Sequence, residues 1–296
     1  MTKQRKKKQS NPPDQELSAF RALLRQHNVH PKKRLGQTFL YKSIIAEEIV
    51  RRAQITPKDV AVEIGPGLGA LTFLLGETDA RIYALEYDSE LAVILQGLLH
   101  HQTVEVIRVD ALHYDYETLY NQHKIKLKII GNLPYYLTSP LIFKLLSLHP
   151  LIQSMLVMIQ KEVADRITAQ PGTKDYGTIS VFSQLYSVIS QQLTVTKDCF
   201  YPVPQVDSEV VLFSFRDKPL VEIQDEATFE HLVRASFAKR RKTLLNAIKG
   251  ANYLNSSREK IVAALEKAEV DPTRRPETLS IADFSNICTN ILNDSD

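Results

Sequence analysis

"VAVEIGPGLGALTFLLGE", residues 60–77, sets the architecture of the chain. "VAVEI" is an apolar run of strand length, with no polar alternation, as expected for a strand covered on both faces. It ends in glycines at 65, 67 and 69, and these open an amphipathic helical segment. Glycines at such a turn let backbone approach a ligand closely. "GPGLGA" also satisfies G-x-G-x-x-A, the dinucleotide-binding pattern, which serves any adenosine cofactor.

The same rhythm continues outward. "RIYALE" (81–86), "VEVIRVD" (104–110), "KLKIIGN" (126–132) and "SMLVMIQ" (154–160) read as strands. "SELAVILQGLLH", "SPLIFKLLS" and "KEVADRITA" read as the helices between and after them. "GTISVFSQLYSVIS" (177–190) reads as one helix, and "QLTVT" and "SEVVLFSF" as two further strands around the proline-rich "DCFYPVPQVDS". Strands alternating with helices imply βαβ units, hence an α/β fold with a mostly parallel, doubly wound sheet of seven strands.

The ends differ from this middle. Residues 1–16 are basic and polar, an expected disordered tail. "ELSAFRALLRQHN" predicts a short helix, "PKKRLGQTFL" a loop and "SIIAEEIVRRA" an amphipathic helix. After about residue 218 the strand signal stops. "ATFEHLVRASFAKRRKTLLNAIKG", "SSREKIVAALEKAEV" and "SIADFSNICTNILND" predict a small all-helical domain. Ser256 with Glu259, and Ser280 with Asp283, have capping-box spacing. The expected organisation is a tail (1–16), an α/β domain (17–217) and a helical domain (218–296).

Composition narrows the function classes. The chain has 296 residues, 44% hydrophobic and 24% charged, with net charge +3. "KQRKKK" near the start, "KKR" at 32–34 and "KRRK" at 239–242 are three basic clusters suited to a polyanion. Cys199 and Cys288 have no CxxC partner and the eight histidines no ligand spacing, so no metal site is expected. No apolar run approaches the roughly 20 residues of a membrane span, and the N-terminus lacks a signal-peptide apolar region. A cytoplasmic protein is expected.

Four successive strand ends carry polar groups on one rim: the glycine turn, Glu86, Asp110 and Asn132. Ligands bind outside the carboxyl ends of strands in open α/β sheets. Glu86, 21 residues after Gly65, suits both hydroxyls of a ribose, whether of NAD or of S-adenosylmethionine. Asp110 suits the proton-bearing edge of an adenine.

"GNLPYYLTSP" (131–140) separates the two cofactors. An exocyclic nucleobase amine is a poor nucleophile because its lone pair is delocalised into the ring. Two acceptors for its N–H groups favour a pyramidal nitrogen. Asn132 offers a side-chain oxygen and Leu133 a backbone carbonyl, while Pro134 fixes the chain and removes a competing donor. Tyr135 offers a face for stacking, worth roughly 1–3 kcal/mol per base. A dehydrogenase has no use for this set; an amine methyltransferase does. Tyr136 is left without a role.

The chain resembles the ribosomal RNA adenine N6-dimethyltransferases, specifically the small-subunit type. "RLGQTFL", "EIGPGLGALT", "GNLPYYLTSP", "FYPVPQVDSEVV" and "LVRASFAKRRKTLLNAI" match that family's blocks in order, from about residue 30 to the C-terminus. The resemblance implies a Rossmann-like class I methyltransferase that uses S-adenosylmethionine. It implies dimethylation of N6 on two adjacent adenosines in a 3′-terminal loop of small-subunit (16S) rRNA, within a pre-30S-like particle, by a monomer.

It also implies residue roles. Thr38 and Leu40, with Gln37 close by, would meet the methionine part of the cofactor; Gly65 and Gly67 would lie under it. Glu86 would hold the ribose, Asp110 the adenine, and Asn132 would bridge cofactor and target amine. Phe200 would form an aromatic clamp with Tyr135. Lys239, Arg240, Arg241 and Lys242 would grip RNA phosphates. Thr38 departs from the family's usual Asn or His, and Lys197 from a common proline. Three rival readings remain: a large-subunit (23S) adenine methyltransferase of the macrolide-resistance type, a non-catalytic RNA-binding or transcription factor on this fold, and an NAD oxidoreductase.

Overall fold

The structure, a computed structural model, describes residues 14–239, 242–249 and 258–293. Most of the basic tail, Arg240, Arg241 and Ser256 of one capping box lie outside the described residues.

Helix α1 (Gln15–Gln26) starts inside the expected tail, because the Asp14 side chain accepts from the Leu17 amide and caps it. A two-residue strand, β1 (Phe39–Leu40), and helix α2 (Ser43–Ala53) follow. The central sheet then begins: β2 (Val60–Ile64), β3 (Arg81–Glu86), β4 (Val104–Arg108), β5 (Leu127–Asn132) and β6 (Ile152–Gln160). Between them run α3 (Thr72–Gly76), α4 (Ser89–Leu98), α5 (Tyr116–His123) and α6 (Thr138–Ser147). α7 (Lys161–Thr168) and α8 (Thr178–Tyr186) precede β7 (Ser187–Val195), β8 (Phe200–Tyr201) and β9 (Ser208–Phe215).

The seven-stranded sheet has the order β4-β3-β2-β5-β6-β9-β7. β4 through β6 pair in parallel, whereas β9 runs antiparallel to both β6 and β7. Strand order reverses between β2 and β5, so their carboxyl ends open a crevice at the switch point. Every residue of "VAVEI" is buried, as helices on both faces require.

Two helical expectations are corrected. The run at 177–190 leaves the helix at Tyr186 and continues as β7, which has a bulge between Gln191 and Leu193. The run at 227–250 splits into α9 (Glu226–Phe237) and α10 (Leu244–Ile248). α11 (Arg258–Lys267) and α12 (Ile281–Asn293) complete the C-terminal helices. The Ser280–Asp283 capping box forms reciprocally, with bonds of 3.1 and 2.9 Å. α9 joins the core of the sheet through an edge-on contact of Phe229 with Phe182, ring centres 5.9 Å apart.

Candidate active site

The crevice is built from four chain segments that meet at the switch point. The glycine turn lies at its floor. Gly67 has φ +59, and a Cβ there would press to 3.2 Å from the Phe39 ring. The Gly65 amide donates to the Leu85 carbonyl at 3.0 Å, which holds the turn against β3.

Glu86 closes one side. Its Oε2 accepts from the Gly67 amide at 3.0 Å and its Oε1 from the Asp88 amide at 2.8 Å. The carboxylate is buried, and burial raises its pKa above the usual carboxylate range. Beyond it, Asp110 accepts from the Leu112 amide at 2.9 Å and sits 3.2 Å from His113 Nδ1. Arg108, Tyr87 and Asp110 border one hollow at this end.

The Gln37 segment closes the top. Gln37 Nε2 donates to Asp88 at 3.0 Å, while its Oε1 accepts from the Lys32 amide at 2.8 Å. Both ends of this amide are therefore bound by protein, which makes Gln37 a clip between its loop and the N-terminal cap of α4. Lys32 pairs with Asp88 at 2.8 Å and with Glu90 at 3.0 Å. Against the upward push of burial, the Lys32 ammonium and the Gln37 amide hold Asp88 below its ordinary range. Lys32 of the basic cluster at 32–34 is thus engaged in an internal ion pair.

Asn132 ends β5 at the centre of the crevice. Its Nδ2 donates to the Thr38 carbonyl at 3.2 Å, and its Oδ1 is buried with no partner among the described residues. Leu133 is buried, its amide donating to the Met158 carbonyl at 3.1 Å. The Pro134 carbonyl accepts from the Leu137 amide and the Thr138 hydroxyl, so "NLPYYLT" turns directly into α6. The Tyr135 hydroxyl lies 2.9 Å from Ser208 Oγ, which anchors the ring. Tyr136 is about half exposed, its ring lying over Gly36.

A cavity of about 250 Å³ runs from Asn132 and the glycine turn towards Leu40, and α1 closes it with Phe20 and Leu23. Glu63 lines it too. The residue is wholly buried within β2, one carboxyl oxygen has no partner, and burial pushes its pKa up to about 8. Neither Glu63 nor the helix read at 16–28 was expected to line the site. An acid inside an otherwise apolar strand was the available signal for the first; nothing local marks the second.

Phe200 departs from its expected place. It is fully buried, pairs with Leu40 across the two-stranded β1–β8 sheet and belongs to the core. In this structure it is a packing residue, with no face offered to a base. Lys239 and Lys242 are exposed just beyond α9.

The parallel sheet with its antiparallel β9, and the polar rim at the switch point, define a class I methyltransferase. The sequence model of the family described as ribosomal RNA adenine dimethylase matches residues 28–291. A protein named ribosomal RNA small subunit methyltransferase A from Syntrophus aciditrophicus is 41% identical over 277 residues, covering 93% of this chain and 99% of its own. One of the same name from Pelotomaculum thermopropionicum is 42% identical, covering 93% and 96%. A dimethyladenosine transferase from Plasmodium falciparum superposes with a TM-score of 0.75 at 25% identity, covering 87% of this chain and 98% of its own. The 23S rRNA methyltransferase ErmE shares the fold, with a TM-score of 0.63 at 24% identity, covering 86% and 99%. This chain belongs to the ribosomal RNA adenine dimethylase family.

Proposed function

We propose that the chain dimethylates N6 of two adjacent adenosines in a 3′-terminal loop of small-subunit rRNA, acting as a monomer on a pre-30S-like particle in the cytoplasm. The observation that carries this reading is the buried, unpartnered Oδ1 of Asn132, oriented by the bond from Nδ2 to Thr38. A buried acceptor without a donor is costly unless a ligand supplies one.

The site fits S-adenosylmethionine. When bound, this cofactor supplies an electrophilic methyl group on a sulfonium. Glu86 retains lone pairs for ribose hydroxyls beyond the two it gives to backbone amides. Asp110 would face the adenine. Gly65, Gly67, Thr38 and Leu40 would border the methionine portion, with Gln37 holding their loop closed.

Asn132 Oδ1 and the Leu133 carbonyl would accept the two N–H groups of the target amine. Both acceptors draw the nitrogen towards a pyramidal shape, which returns its lone pair to reactivity. Tyr135 would stack on the base, which must leave its own stack to enter. Catalysis is mainly positioning and electrostatics. The nitrogen's proton becomes acidic once the new N–C bond forms and leaves to water. The monomethylated amine keeps one N–H for a second round. The dimethylated amine keeps none, so the same acceptors end the reaction at two methyl groups.

The small-subunit reading draws support from two relatives at 41% and 42% identity over more than nine-tenths of the chain. The likeness to ErmE bears on fold alone. Purified unmethylated small and large subunits, incubated separately with protein and labelled cofactor, test it. Label in the small-subunit rRNA is expected. Label in the large subunit, or in neither, would overturn the reading.

A further inference from the structure

A second, basic hollow lies along α1 on a face next to the one that closes the cofactor cavity. α1 presents Phe20 and Leu23 to that cavity. Arg21 and Arg25, one turn apart on the same helix face, are exposed and border the hollow with Asn28, His30 and Tyr201. Among the described residues, none that lines it is acidic. Among the described residues, neither Arg21 nor Arg25 has an ion-pair partner.

The guanidinium of Arg21 lies over the Tyr201 ring, 5.0 Å from its centre. A guanidinium held by its face against a ring keeps its in-plane N–H donors for an anion. The ring thereby positions the charge without neutralising it. The loop at 28–31 is shaped for the same edge: Asn28 takes a left-handed φ of +54, and His30 Nδ1 donates to its carbonyl at 3.0 Å.

The hollow is tied to the reaction site through the short β1–β8 sheet. Tyr201 pairs with Phe39. The neighbouring Thr38 is the residue that orients Asn132. α1 is itself fixed to this sheet's surroundings: Lys42 pairs with Asp14 at 2.7 Å and Glu16 at 2.9 Å, and Phe20 packs 6.4 Å from Tyr201. A strand whose adenine enters beside Asn132 must run its phosphates past one edge of the crevice.

We propose that the Arg21–Arg25–Tyr201 hollow binds the phosphodiester backbone of the substrate strand next to the target adenine. This rests on the rRNA methyltransferase reading above. Its consequence is a division of labour on one helix, whose apolar face encloses the cofactor while its basic face holds the RNA.

The test uses the full chain with the double variant Arg21→Gln/Arg25→Gln. Binding to a single-stranded RNA carrying the small-subunit 3′ loop is measured from low to high salt, beside cofactor affinity and thermal unfolding. Each single-strand phosphate contact contributes about 0.7 to the slope of log K against log salt. The slope should therefore fall by about 1.4, with affinity about 25-fold weaker at roughly 0.1 M salt. Cofactor affinity and the unfolding midpoint should match the wild type. Tyr201→Leu should weaken RNA binding, and Tyr201→Phe should retain it. A wild-type slope and affinity in the double variant would overturn the proposal. So would equal losses of RNA and cofactor binding, which would make α1 a structural lid only. If the wild type transfers methyl groups to small subunits yet the variant's slope is unchanged, this inference fails while the functional reading stands.

Discussion

Asn132 Nδ2 donates to the Thr38 carbonyl, 3.2 Å away, and this bond fixes which end of the Asn132 amide faces the crevice. Thr38 acts here through its backbone, so its departure from the family's usual residue leaves the contact intact. Asn132→Ala should lower kcat by about 10²–10³, the scale of a lost positioned polar group. Its affinity for RNA should stay within about threefold. Comparable losses in turnover and RNA affinity would make Asn132 a structural residue instead.

Glu86 accepts two backbone N–H groups on two different oxygens. An amide at this position has one acceptor and would set its NH₂ against an N–H. Glu86→Gln should therefore weaken cofactor binding by about 1.5–3 kcal/mol, roughly tenfold to a hundredfold. Titration calorimetry checks this, and an unchanged Kd would remove Glu86 from the cofactor site.

Glu63 gives a pH signature. Its pKa in the folded protein is about 8, raised by burial, against about 4.3 when unfolded. Between these values the folded state holds a proton that the unfolded state has released. Stability from this group is therefore full below about pH 4 and declines as pH rises, by about 1.4 kcal/mol per unit, until about pH 8. Glu63→Gln keeps the buried group neutral and should remove this component. The difference in unfolding free energy between variant and wild type should grow from pH 5 to pH 8. A constant difference across that range contradicts the buried proton.

Gly131 carries the close approach of β5 to β2. A Cβ there would fall on the Ile64 carbonyl oxygen and within 3.1 Å of its nitrogen. These are backbone atoms of a central strand and cannot rotate aside. Gly131→Ala should destabilise by about 3 kcal/mol or more, lowering Tm by roughly 5 °C in a chain of this size. A midpoint within about 2 °C of wild type would show that β2 and β5 are less closely held than this.

Lys239 and Lys242 are exposed beyond α9. Replacing both, together with Arg240 and Arg241, by glutamine should weaken RNA binding and flatten its salt dependence by about 0.7 per contacted phosphate. An unchanged salt slope would refute a role in gripping RNA.

The legible parts of the fold were those with local causes. β2 to β6 each announce themselves as apolar runs, and the strand-end positions of Glu86 and Asn132 follow from them. The first half of β7 was read as helix because "SVIS" continues the apolar spacing of α8, whereas "QLTVT" was read as strand; pairing with β9 draws the whole run straight. The run at 227–250 was read as one helix because it contains no proline, whereas α9 ends at Phe237 and α10 starts after Thr243. β1 and β8 are two residues each and exist only because distant segments meet. That pairing also buries Phe200, which sequence placed at a clamp. In the site, the chemistry of "NLPY" was readable from residue types. The orientation of Asn132, the Gln37–Asp88 clip and the roof formed by α1 depend on contacts across long stretches of chain.

The most direct test of the central claim is mass mapping of rRNA from unmethylated small subunits treated with the purified protein and S-adenosylmethionine. Two adjacent adenines in one 3′-terminal loop fragment should each gain two methyl groups, with the Asn132→Ala protein about 10²–10³ slower. Methylation on another base, on a ring nitrogen or 2′ oxygen, or no methylation at all would contradict it.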